Sequence, residues 1–338
     1  MAAIIAASAF PILAQAAAAS DTAALSRLRL LRLSVTDLCN FRCRYCMAAT
    51  GVPRLAHHDL LPLERLVEMV QWLTTHTAIE RVRLTGGEPL TRRGIEFLIA
   101  ALSSLPAVRE VSLTTNGSLL SRMAPALKAA GLSRVNISLD SLDRDRFAVV
   151  TRGGSLQRTL DGIDAAEKAG LTPIRLNAVL QRSTWELEVP RLLDYAAARG
   201  FEIRFIELMR TGTEREWCDS EFVSVDEMRD GLNAKILPFA EQTNSSAQRT
   251  QLDWRGAPLT VGWISPRSHP FCATCERLRM DARGRVRRCL MDATLFDLHQ
   301  LMQTSEEQSV VKDFRSYLAN KVPPSAMDSS FAMSQIGG

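Results

Sequence analysis

The strongest constraint on the fold is a serial alternation of short apolar runs with amphipathic helical patterns in this 338-residue chain. The helical patterns place apolar residues three and four positions apart, as on one buried helix face. No hairpin turn joins neighbouring apolar runs, so we expect parallel strands joined by right-handed crossovers. The predicted strands are Leu30–Val35, Arg81–Thr85, Glu110–Thr115, Arg134–Leu139, Ile174–Leu180 and Glu202–Leu208; the predicted helices are Leu63–Thr75, Gly94–Leu105, Leu119–Ala130, Leu156–Ala169 and Leu187–Arg199.

Six strand and helix units in series predict an α/β fold, either an open doubly wound sheet or most of a barrel. In both architectures the loops at the carboxyl ends of the strands carry the function. Five of the six strands are followed by a polar or cysteine-containing motif. These motifs are Thr36–Cys46, Gly86–Leu90, Asn116–Gly117, Asp140–Ser141 and Met209–Gly212. We therefore expect one mouth to receive all of them.

The alternation stops near Gly212, which divides the chain into three predicted parts. Residues 1–26 form an Ala-rich extension that we expect to be disordered, residues 27–212 the alternating part, and residues 213–338 a smaller C-terminal segment. Within that segment the polar stretch Thr243–Gln251 predicts a loop, and a charged helix is expected around Leu295–Asn320. The chain ends in Gly337-Gly338, a pair that is usually a frayed tail but fits a narrow site without side-chain clashes.

The uncharged first 20 residues raise the question of an export signal or a membrane anchor. The first basic residue is Arg27, so a positive leader region is missing, and Pro11 and Gln15 interrupt a stretch dominated by alanine. These details predict a cytoplasmic protein.

The seven cysteines form two groups of three and one isolated residue, Cys218. An odd count in two clusters fits a disulfide framework poorly. Three thiolates can hold three irons of a 4Fe-4S cluster and leave the fourth iron open, whereas a structural zinc site requires four ligands. His57 and His58 lie outside the usual spacing for zinc, but His269 could complete a zinc site with the second group. The groups are Cys39, Cys43 and Cys46, then Cys272, Cys275 and Cys289. Cys218 is interpreted as a small buried residue.

The segments Thr36–Met47 and Gly86–Leu90 resemble the cluster loop and the glycine motif of radical S-adenosylmethionine (SAM) enzymes. The resemblance implies a partial (β/α)6 barrel whose open iron binds SAM and whose cluster releases a 5'-deoxyadenosyl radical from it. Radical chemistry would then need no catalytic side chain. Bare backbone at Gly86 and Gly87 would also let a charged amino acid approach closely. The SAM-binding positions implied are Tyr45, Gly86, Gly87, Glu88, Thr115, Asn116, Ser138 and Met209.

The second cysteine group lies in the segment Phe271–Arg279, followed by Gly284, Cys289 and the terminal glycines. Together these residues resemble the GTP 3',8-cyclase family of molybdenum cofactor biosynthesis. The resemblance implies a second 4Fe-4S cluster whose open iron binds the guanine of GTP. The expected reaction removes the ribose 3' hydrogen, joins C3' to guanine C8 and yields 3',8-cyclo-7,8-dihydro-GTP.

The net charge of +4 is too small for a general nucleic-acid surface, so we expect the arginines to act locally. Six of them lie between Arg277 and Arg288, and planar guanidinium groups suit a triphosphate. The resemblance implies GTP binding by Arg32, Arg83, Arg175, Arg204, Arg277 and Arg279. A buried cation on a barrel strand is also expected to need an anionic partner. The sequence departs from the family pattern at Leu38, Ala48, Arg81, Thr91 and Arg175.

The expected partners are GTP, a one-electron donor of the flavodoxin or ferredoxin type, the next enzyme of the pathway and a second copy in a homodimer. No nucleic acid or membrane partner is expected. Two alternatives remain at this point. One is a radical SAM enzyme that matures peptides with an auxiliary cluster, and the other is a zinc-binding protein without enzymatic activity.

Overall fold

A computed structural model gives the fold for residues 25–52, 55, 59–211, 214–232, 234–239, 247–319, 321, 328–329 and 333. Most of the Ala-rich extension, both His57 and His58, and the terminal Gly337-Gly338 lie outside these described residues. Leu25, which the sequence assigns to the extension, is buried in the hydrophobic core.

The centre of the fold is a parallel sheet whose six strands follow sequence order. The predicted alternation is confirmed, and each strand end lies within two residues of its predicted position. The apolar residues of these strands are buried against the helices outside the barrel, as expected for parallel sheets. The strands are β1 (Leu30–Ser34), β2 (Arg81–Thr85), β3 (Glu110–Thr115), β4 (Arg134–Ser138), β5 (Arg175–Val179) and β6 (Glu202–Ile206).

Helices connect these strands, and local caps define several of their ends. The Asp143 carboxylate accepts hydrogen bonds from the first backbone amides of one helix, and the Ser155 hydroxyl caps the next. Gly200 ends the longest helix in the left-handed conformation, with φ of 66°. The helices are α1 (Leu63–His76), α2 (Ile95–Ser103), α3 (Leu120–Ala129), α4 (Arg144–Thr151), α5 (Leu156–Lys168) and α6 (Trp185–Arg199).

The C-terminal segment corrects two predictions. The stretch Thr243–Gln251 was expected to be a loop, but a strand begins at Gln248 and pairs antiparallel with the following strand. The single helix expected around Leu295–Asn320 is two helices, because Ser305 is extended between them. The elements are β7 (Arg210–Thr211), α7 (Arg215–Ser220), α8 (Val225–Leu232), β8 (Lys235–Leu237), β9 (Gln248–Trp254), β10 (Ala257–Ile264), β11 (Arg277–Met280), β12 (Arg285–Arg287), β13 (Phe296–Asp297), α9 (Leu298–Thr304), α10 (Glu307–Ala319) and β14 (Asp328–Ser329).

Two of these later strands extend the central sheet at opposite edges. Strand β10 pairs parallel with β6, and β11 pairs parallel with β1, within one twelve-stranded sheet. Residues 265–276, here called the crossing segment, must therefore run from one edge of the parallel strands to the other. Its start is held by the buried Glu207 carboxylate, which accepts from the amides of Arg267 and Ser268 at 2.9 and 3.0 Å.

The parallel sheet curves around a central space. Side chains from all six strands line one cavity of about 300 Å³. They are Arg32, Arg83, Thr114, Ser138, Asn177 and Arg204. A flat sheet could not bring its first and sixth strands to one cavity, so the architecture is a partial barrel. None of the described helices has the length and apolar character needed to cross a bilayer.

Candidate active site

The first cysteine group lies in the loop that leaves the carboxyl end of β1. The loop is held to the end of α4, because the amides of Arg42 and Arg44 donate to the carbonyls of Thr151 and Val150. A turn in which the Cys46 amide donates to the Cys43 carbonyl at 2.9 Å brings the thiols towards one another. Cys39, Cys43 and Cys46 are not joined in disulfides and line the 300 Å³ cavity, here called the cysteine cavity.

The surroundings of these thiols disfavour bare thiolates. Burial raises the pKa of Cys39 to about 12 and that of Cys43 well above its ordinary value. The neighbouring cysteines and the Asp140 carboxylate add to the shift at Cys43. Metal ions supply the positive charge that such a group needs before it ionises.

Gly86 and Gly87 follow β2 and pack against this loop. A Cβ atom on Gly86 would lie 2.4 Å from the Thr36 carbonyl oxygen, and one on Gly87 would lie 2.3 Å from the Leu38 carbonyl oxygen. The Gly87 and Glu88 amides donate to the same two carbonyls at 2.8 and 2.7 Å. Close contact between the two loops therefore requires glycine at both positions. This is a second reason for glycine, beside the close approach of a charged amino acid that the sequence suggested. Both glycines also line the cysteine cavity.

The buried Glu88 carboxylate joins the ends of β2 and β3. It accepts hydrogen bonds from the Leu90 amide at 3.1 Å, the Thr115 hydroxyl at 2.7 Å and the Asn116 amide at 2.7 Å. The Asn116 side chain in turn donates to the Asn40 side-chain oxygen in the cysteine loop at 2.8 Å. Glu88 thus fixes three loops around the cavity.

Tyr45 and Asp140 form a second buried pair at the cavity wall. The Tyr45 hydroxyl donates to the Asp140 carboxylate at 2.7 Å, and the Val179 amide donates to the other carboxylate oxygen at 2.8 Å. Burial raises the pKa of Asp140 to about 6. The structure brings every predicted SAM-binding residue to the cysteine cavity: Tyr45, Gly86, Gly87, Glu88, Thr115, Asn116, Ser138 and Met209.

The second cysteine group lines the same cavity. Cys272 and Cys275 belong to the crossing segment, and Cys289 follows β12; all three are free thiols. The Lys321 ammonium donates to the carbonyls of Cys275 and Arg277 at 3.2 and 2.6 Å. Although burial opposes it, Lys321 and Arg277 together lower the pKa of Cys275.

The donor sets fit iron-sulfur clusters in chemistry. Each set offers three cysteine thiols that line the cysteine cavity outside any disulfide, and three thiolates can hold three irons of a cube and leave one open. His269, which could have completed a zinc site, instead contacts the Asp226 carboxylate at 2.5 Å. Among the described residues no three His, Cys, Asp or Glu side chains are arranged to hold a single metal ion.

Three arginines stand side by side on neighbouring strands. Strand register places Arg279 of β11 beside Arg32 of β1, and Arg32 beside Arg83 of β2. Burial and the neighbouring guanidinium groups lower the pKa of Arg32 and of Arg83 well below the ordinary value, and that of Arg279 to about 10. The buried Nε of Arg83 has no hydrogen-bond partner within the part of the chain that the structure describes. Since adjacent like charges are unfavourable, this row fits a bound polyanion.

A second cavity of about 760 Å³, here called the arginine cavity, adjoins the first at the amino ends of the strands. Arg83, Arg204 and Arg277 line both cavities, whereas Arg175 lines only the second. The expectation that Arg175 and Arg204 need an anionic ligand is met in part by the protein itself. Glu202 accepts from the Nε atoms of both, at 2.9 and 2.6 Å.

The run from Arg277 to Arg288 divides between the cavity and the scaffold. Arg277, Arg279 and Arg288 line the cysteine cavity. Arg283 pairs with Asp59 at 3.0 Å, and Arg285 pairs with Asp281 at 2.7 Å. Two of the six arginines in this run, Arg283 and Arg285, therefore stabilise local structure.

The departures from the family pattern have local partners. Arg81 pairs with Glu276 at 3.1 Å, and the Thr91 hydroxyl donates to the Glu88 carbonyl at 2.7 Å. Leu38 is 37% exposed beside the cysteine loop.

The C-terminal tail approaches the first cysteine group. Strand β14 pairs parallel with β7, and the Met333 amide donates to the Cys46 carbonyl at 3.1 Å. Met333 also lines the cysteine cavity.

Several residues at the site were missed by the sequence reasoning. Their roles depend on contacts between segments that are distant in the sequence. The only signal in the sequence was the position of Asp140 just after β4. The sequence placed Asp140 at the mouth and Phe271 in the second cysteine segment but gave neither a role; the residues that it missed are Asn177, Arg134, Glu202, Arg249 and Lys321.

Comparison with known families agrees with this geometry. The Radical SAM superfamily model matches residues 33–196, and the model described as Molybdenum Cofactor Synthesis C matches residues 201–327. A solved structure of SuiB from Streptococcus suis bound to precursor peptide SuiA has a TM-score of 0.61 at 15% identity, and the match covers 91% of this chain and 69% of that one. At that identity the likeness concerns the fold alone, and it confirms the predicted partial barrel.

Relatives with assigned names are similar over most of the chain. A GTP 3',8-cyclase of Moorella thermoacetica is 39% identical over 320 residues, which cover 92% of this chain and 98% of the relative. GTP 3',8-cyclase 1 of Pseudomonas aeruginosa is 46% identical over 276 residues, covering 81% and 83% of the two chains. These identities confirm the resemblance seen in the sequence motifs, and this chain belongs to the GTP 3',8-cyclase family of radical SAM enzymes.

Proposed function

We propose that this chain converts GTP to 3',8-cyclo-7,8-dihydro-GTP, the first step of molybdenum cofactor biosynthesis. The observation that carries the proposal is the placement of both cysteine groups and the arginine row on the wall of one cavity. Both the alternating part, residues 27–212, and the C-terminal segment, residues 213–338, contribute to this wall. The site is therefore complete only when the two parts are joined.

As a radical SAM enzyme the chain uses a 4Fe-4S cluster and SAM. Cys39, Cys43 and Cys46 would hold this cluster, and the residues around Glu88 and the Tyr45–Asp140 pair would hold SAM. When bound, the cluster and SAM supply one electron and a 5'-deoxyadenosyl radical that removes the ribose 3' hydrogen. The protein must then keep other hydrogen donors away from the radical and the ribose close to it.

The second cysteine group would hold a second 4Fe-4S cluster, whose open iron would bind the guanine ring. One electron from this cluster, together with a proton, would quench the nucleotide radical that remains after C3' joins C8. The triphosphate would extend towards the arginine cavity, where Arg83 and Arg204 lie between the two spaces. Arg32, Arg175, Arg277 and Arg279 would complete its binding. Binding of the nucleotide at its base and at its phosphates would hold C3' and C8 close to each other. The ring could then close without a large movement of the substrate.

The reaction also needs partners outside the chain. A one-electron donor of the flavodoxin or ferredoxin type would reduce the first cluster, and the next enzyme of the pathway would take the product. A cytoplasmic location and a homodimer are further parts of the proposal.

The test is an anaerobic assay with reconstituted protein, dithionite, SAM and GTP. We expect 5'-deoxyadenosine and the cyclic nucleotide in comparable amounts. Iron analysis should give about eight irons per chain in wild type and about four in a Cys272→Ser, Cys289→Ser double variant. The control Cys218→Ala alters a buried cysteine that does not line the cavity, and it should lose no iron. Stoichiometric zinc without iron, or no 5'-deoxyadenosine, would contradict the proposal.

A further inference from the structure

Glu202 has an unusual set of partners for a single carboxylate. One oxygen accepts from the Nε atoms of Arg204 at 2.6 Å and Arg249 at 3.2 Å, and the other accepts from the Nε atom of Arg175 at 2.9 Å. The four side chains are mostly buried, with exposed fractions between 5% and 14%. One negative charge therefore contacts three guanidinium groups at the wall of the arginine cavity.

The three arginines come from three strands. Arg175 lies directly opposite Glu202 in the parallel pairing of β5 and β6, and Arg204 is two residues further along β6, on the same face. Arg249 belongs to β9, which is separated from β6 by β10. No one element could set the positions of all three, so their common carboxylate has that role.

A glycine makes the reach across β10 possible. Gly262 of β10 pairs with Arg204 on one side and with Arg249 on the other. A Cβ atom at this position would lie 2.8 Å from Cγ of Arg204. Without a side chain at Gly262, the stem of Arg204 can lie along β10 and both guanidinium groups can meet at Glu202.

The three arginines that Glu202 contacts lie where the phosphates of a bound nucleotide would be. Arg175, Arg204 and Arg249 all line the arginine cavity, and of the three only Arg204 also lines the cysteine cavity. Arg175 and Arg249 thus lie outside the cysteine cavity, in a cavity that Cys275 of the second cysteine group also borders. A nucleotide whose base lies against the second cysteine group directs its terminal phosphate towards them.

The geometry points to Glu202 as the positioning residue for the triphosphate of the nucleotide, and to Arg249 as a third phosphate-binding arginine beside Arg175 and Arg204. This inference rests on the proposed GTP function. Glu202 uses the Nε edge of each guanidinium and so sets the direction of the rest of each group. A planar fork held in this way suits the paired oxygens of a phosphate.

A purely electrostatic role for Glu202 would have the opposite consequence. If the carboxylate only neutralised the arginines, its removal would leave more positive charge and would tighten binding of every phosphate-containing nucleotide. If it positions them, its removal lets the three groups move apart. The binding of GTP should then weaken, and GDP and GMP should be affected less because they do not reach as far.

The experiment compares dissociation constants of GTP, GDP and GMP for anaerobically reconstituted wild type and Glu202→Gln. We expect GTP binding to weaken about tenfold and the preference for GTP over GDP to fall, as for the loss of a charged hydrogen-bonding group. Glu202→Asp, which keeps the charge, should recover part of the preference. Glu227→Gln, which removes the exposed pair with Arg182 away from both cavities, should bind like wild type.

A second variant tests the inference if Glu202→Gln does not fold. Arg249→Lys keeps the charge but not the planar fork, and we expect it to weaken GTP binding several-fold while GMP binding stays unchanged. Unchanged or tighter GTP binding in Glu202→Gln or in Arg249→Lys would overturn the inference. If wild type itself binds no GTP, the proposed function fails, which is a distinguishable result.

Discussion

At the scale of single residues, Glu88 couples the site to pH. Burial raises its pKa from an ordinary 4.5 to about 7, although its three hydrogen-bond donors oppose the shift. The folded chain therefore holds a proton between pH 4.5 and 7 that the unfolded chain releases. The stabilisation is fully present below pH 4.5 and is lost as the pH rises through 7, by on the order of 3 kcal/mol.

Glu88→Gln removes this titration. We predict that the free energy of unfolding of wild type falls relative to that of Glu88→Gln between about pH 4.5 and about pH 7, the window of this shift. Urea unfolding under anaerobic conditions measures it. Parallel pH profiles for the two proteins would show that Glu88 does not have a raised pKa.

Gly87 is a second residue whose role can be tested alone. A Cβ atom there would lie 2.3 Å from the Leu38 carbonyl oxygen, and backbone cannot move aside as a side chain can. We predict that Gly87→Ala costs about 1–3 kcal/mol and lowers the iron content, because the cysteine loop must shift. Denaturant unfolding and iron analysis measure the two effects.

Gly200→Ala is the matched control for this change. Gly200 has a positive φ of 66°, but nothing lies within 4 Å of the added carbon. The control should lose stability through backbone strain while keeping its iron. Equal iron loss in both variants would mean that the loop contact at Gly87 is not what matters.

At the scale of elements, local patterns predicted the six parallel strands because each is a short apolar run between turn-forming residues. The pairing of β10 with β6 and of β11 with β1 was not predictable in this way. It depends on contacts between residues more than 50 positions apart, and β9 is a mostly polar strand of which Arg249 lines the arginine cavity. A polar run of this kind is typical of a loop, which explains the wrong loop prediction at Gln248–Gln251.

In the site, too, features within one loop could be predicted from the sequence and contacts between distant strands could not. Closely spaced cysteines and the Gly86-Gly87 motif are visible in the sequence because one loop supplies all their chemistry. Glu202 and Arg249 were not identified, since their meaning arises only where β6 and β9 meet across β10. Sequence patterns can show a group of ligands within a loop but not a contact formed across strands.

The central position of β10 gives a prediction at this scale. In Gly262→Ala the added Cβ would displace the stem of Arg204, from which it would lie 2.8 Å. We predict a several-fold rise in the KM for GTP with little change in SAM binding, because the SAM residues lie at the other end of the strands. Steady-state kinetics and SAM titration measure both.

Gly256→Ala provides the comparison within the same hairpin. Gly256 lies in the turn between β9 and β10, and no atom lies within 4 Å of a Cβ placed there. Its KM for GTP should match that of wild type. A similar rise in both variants would assign the effect to general loosening of the hairpin.

At the scale of the whole molecule, the distribution of charge matters more than its sum. The net charge is only +4, but the arginine cavity has exposed arginines at its rim, with the Arg109 and Arg29 side chains 79% and 44% exposed, and buried ones inside. Among the described residues nine arginines and three glutamates line this cavity, and an excess of one sign of charge speeds the arrival of the opposite sign. The rim should therefore attract the nucleotide before the inner arginines bind it.

We predict that the association rate of GTP falls about tenfold when the ionic strength is raised from about 0.1 M to about 1 M, as the Debye length shortens from about 10 Å to about 3 Å. The association rate of SAM, which is not strongly anionic, should change much less. Stopped-flow binding measures both rates. A GTP rate that does not depend on salt would rule out electrostatic attraction by the rim.

Because of the crossing segment, residues 265–276, damage to the proposed second cluster would also open the wall of the cysteine cavity. This segment spans the open side of the partial barrel and carries Cys272 and Cys275, so the same stretch of chain is both a wall of the cavity and a ligand for the proposed second cluster. Oxygen that destroys this cluster would also release the wall. Oxidative inactivation should thus begin as a local opening of the molecule, and repair must rebuild the metal centre before the cavity can close again.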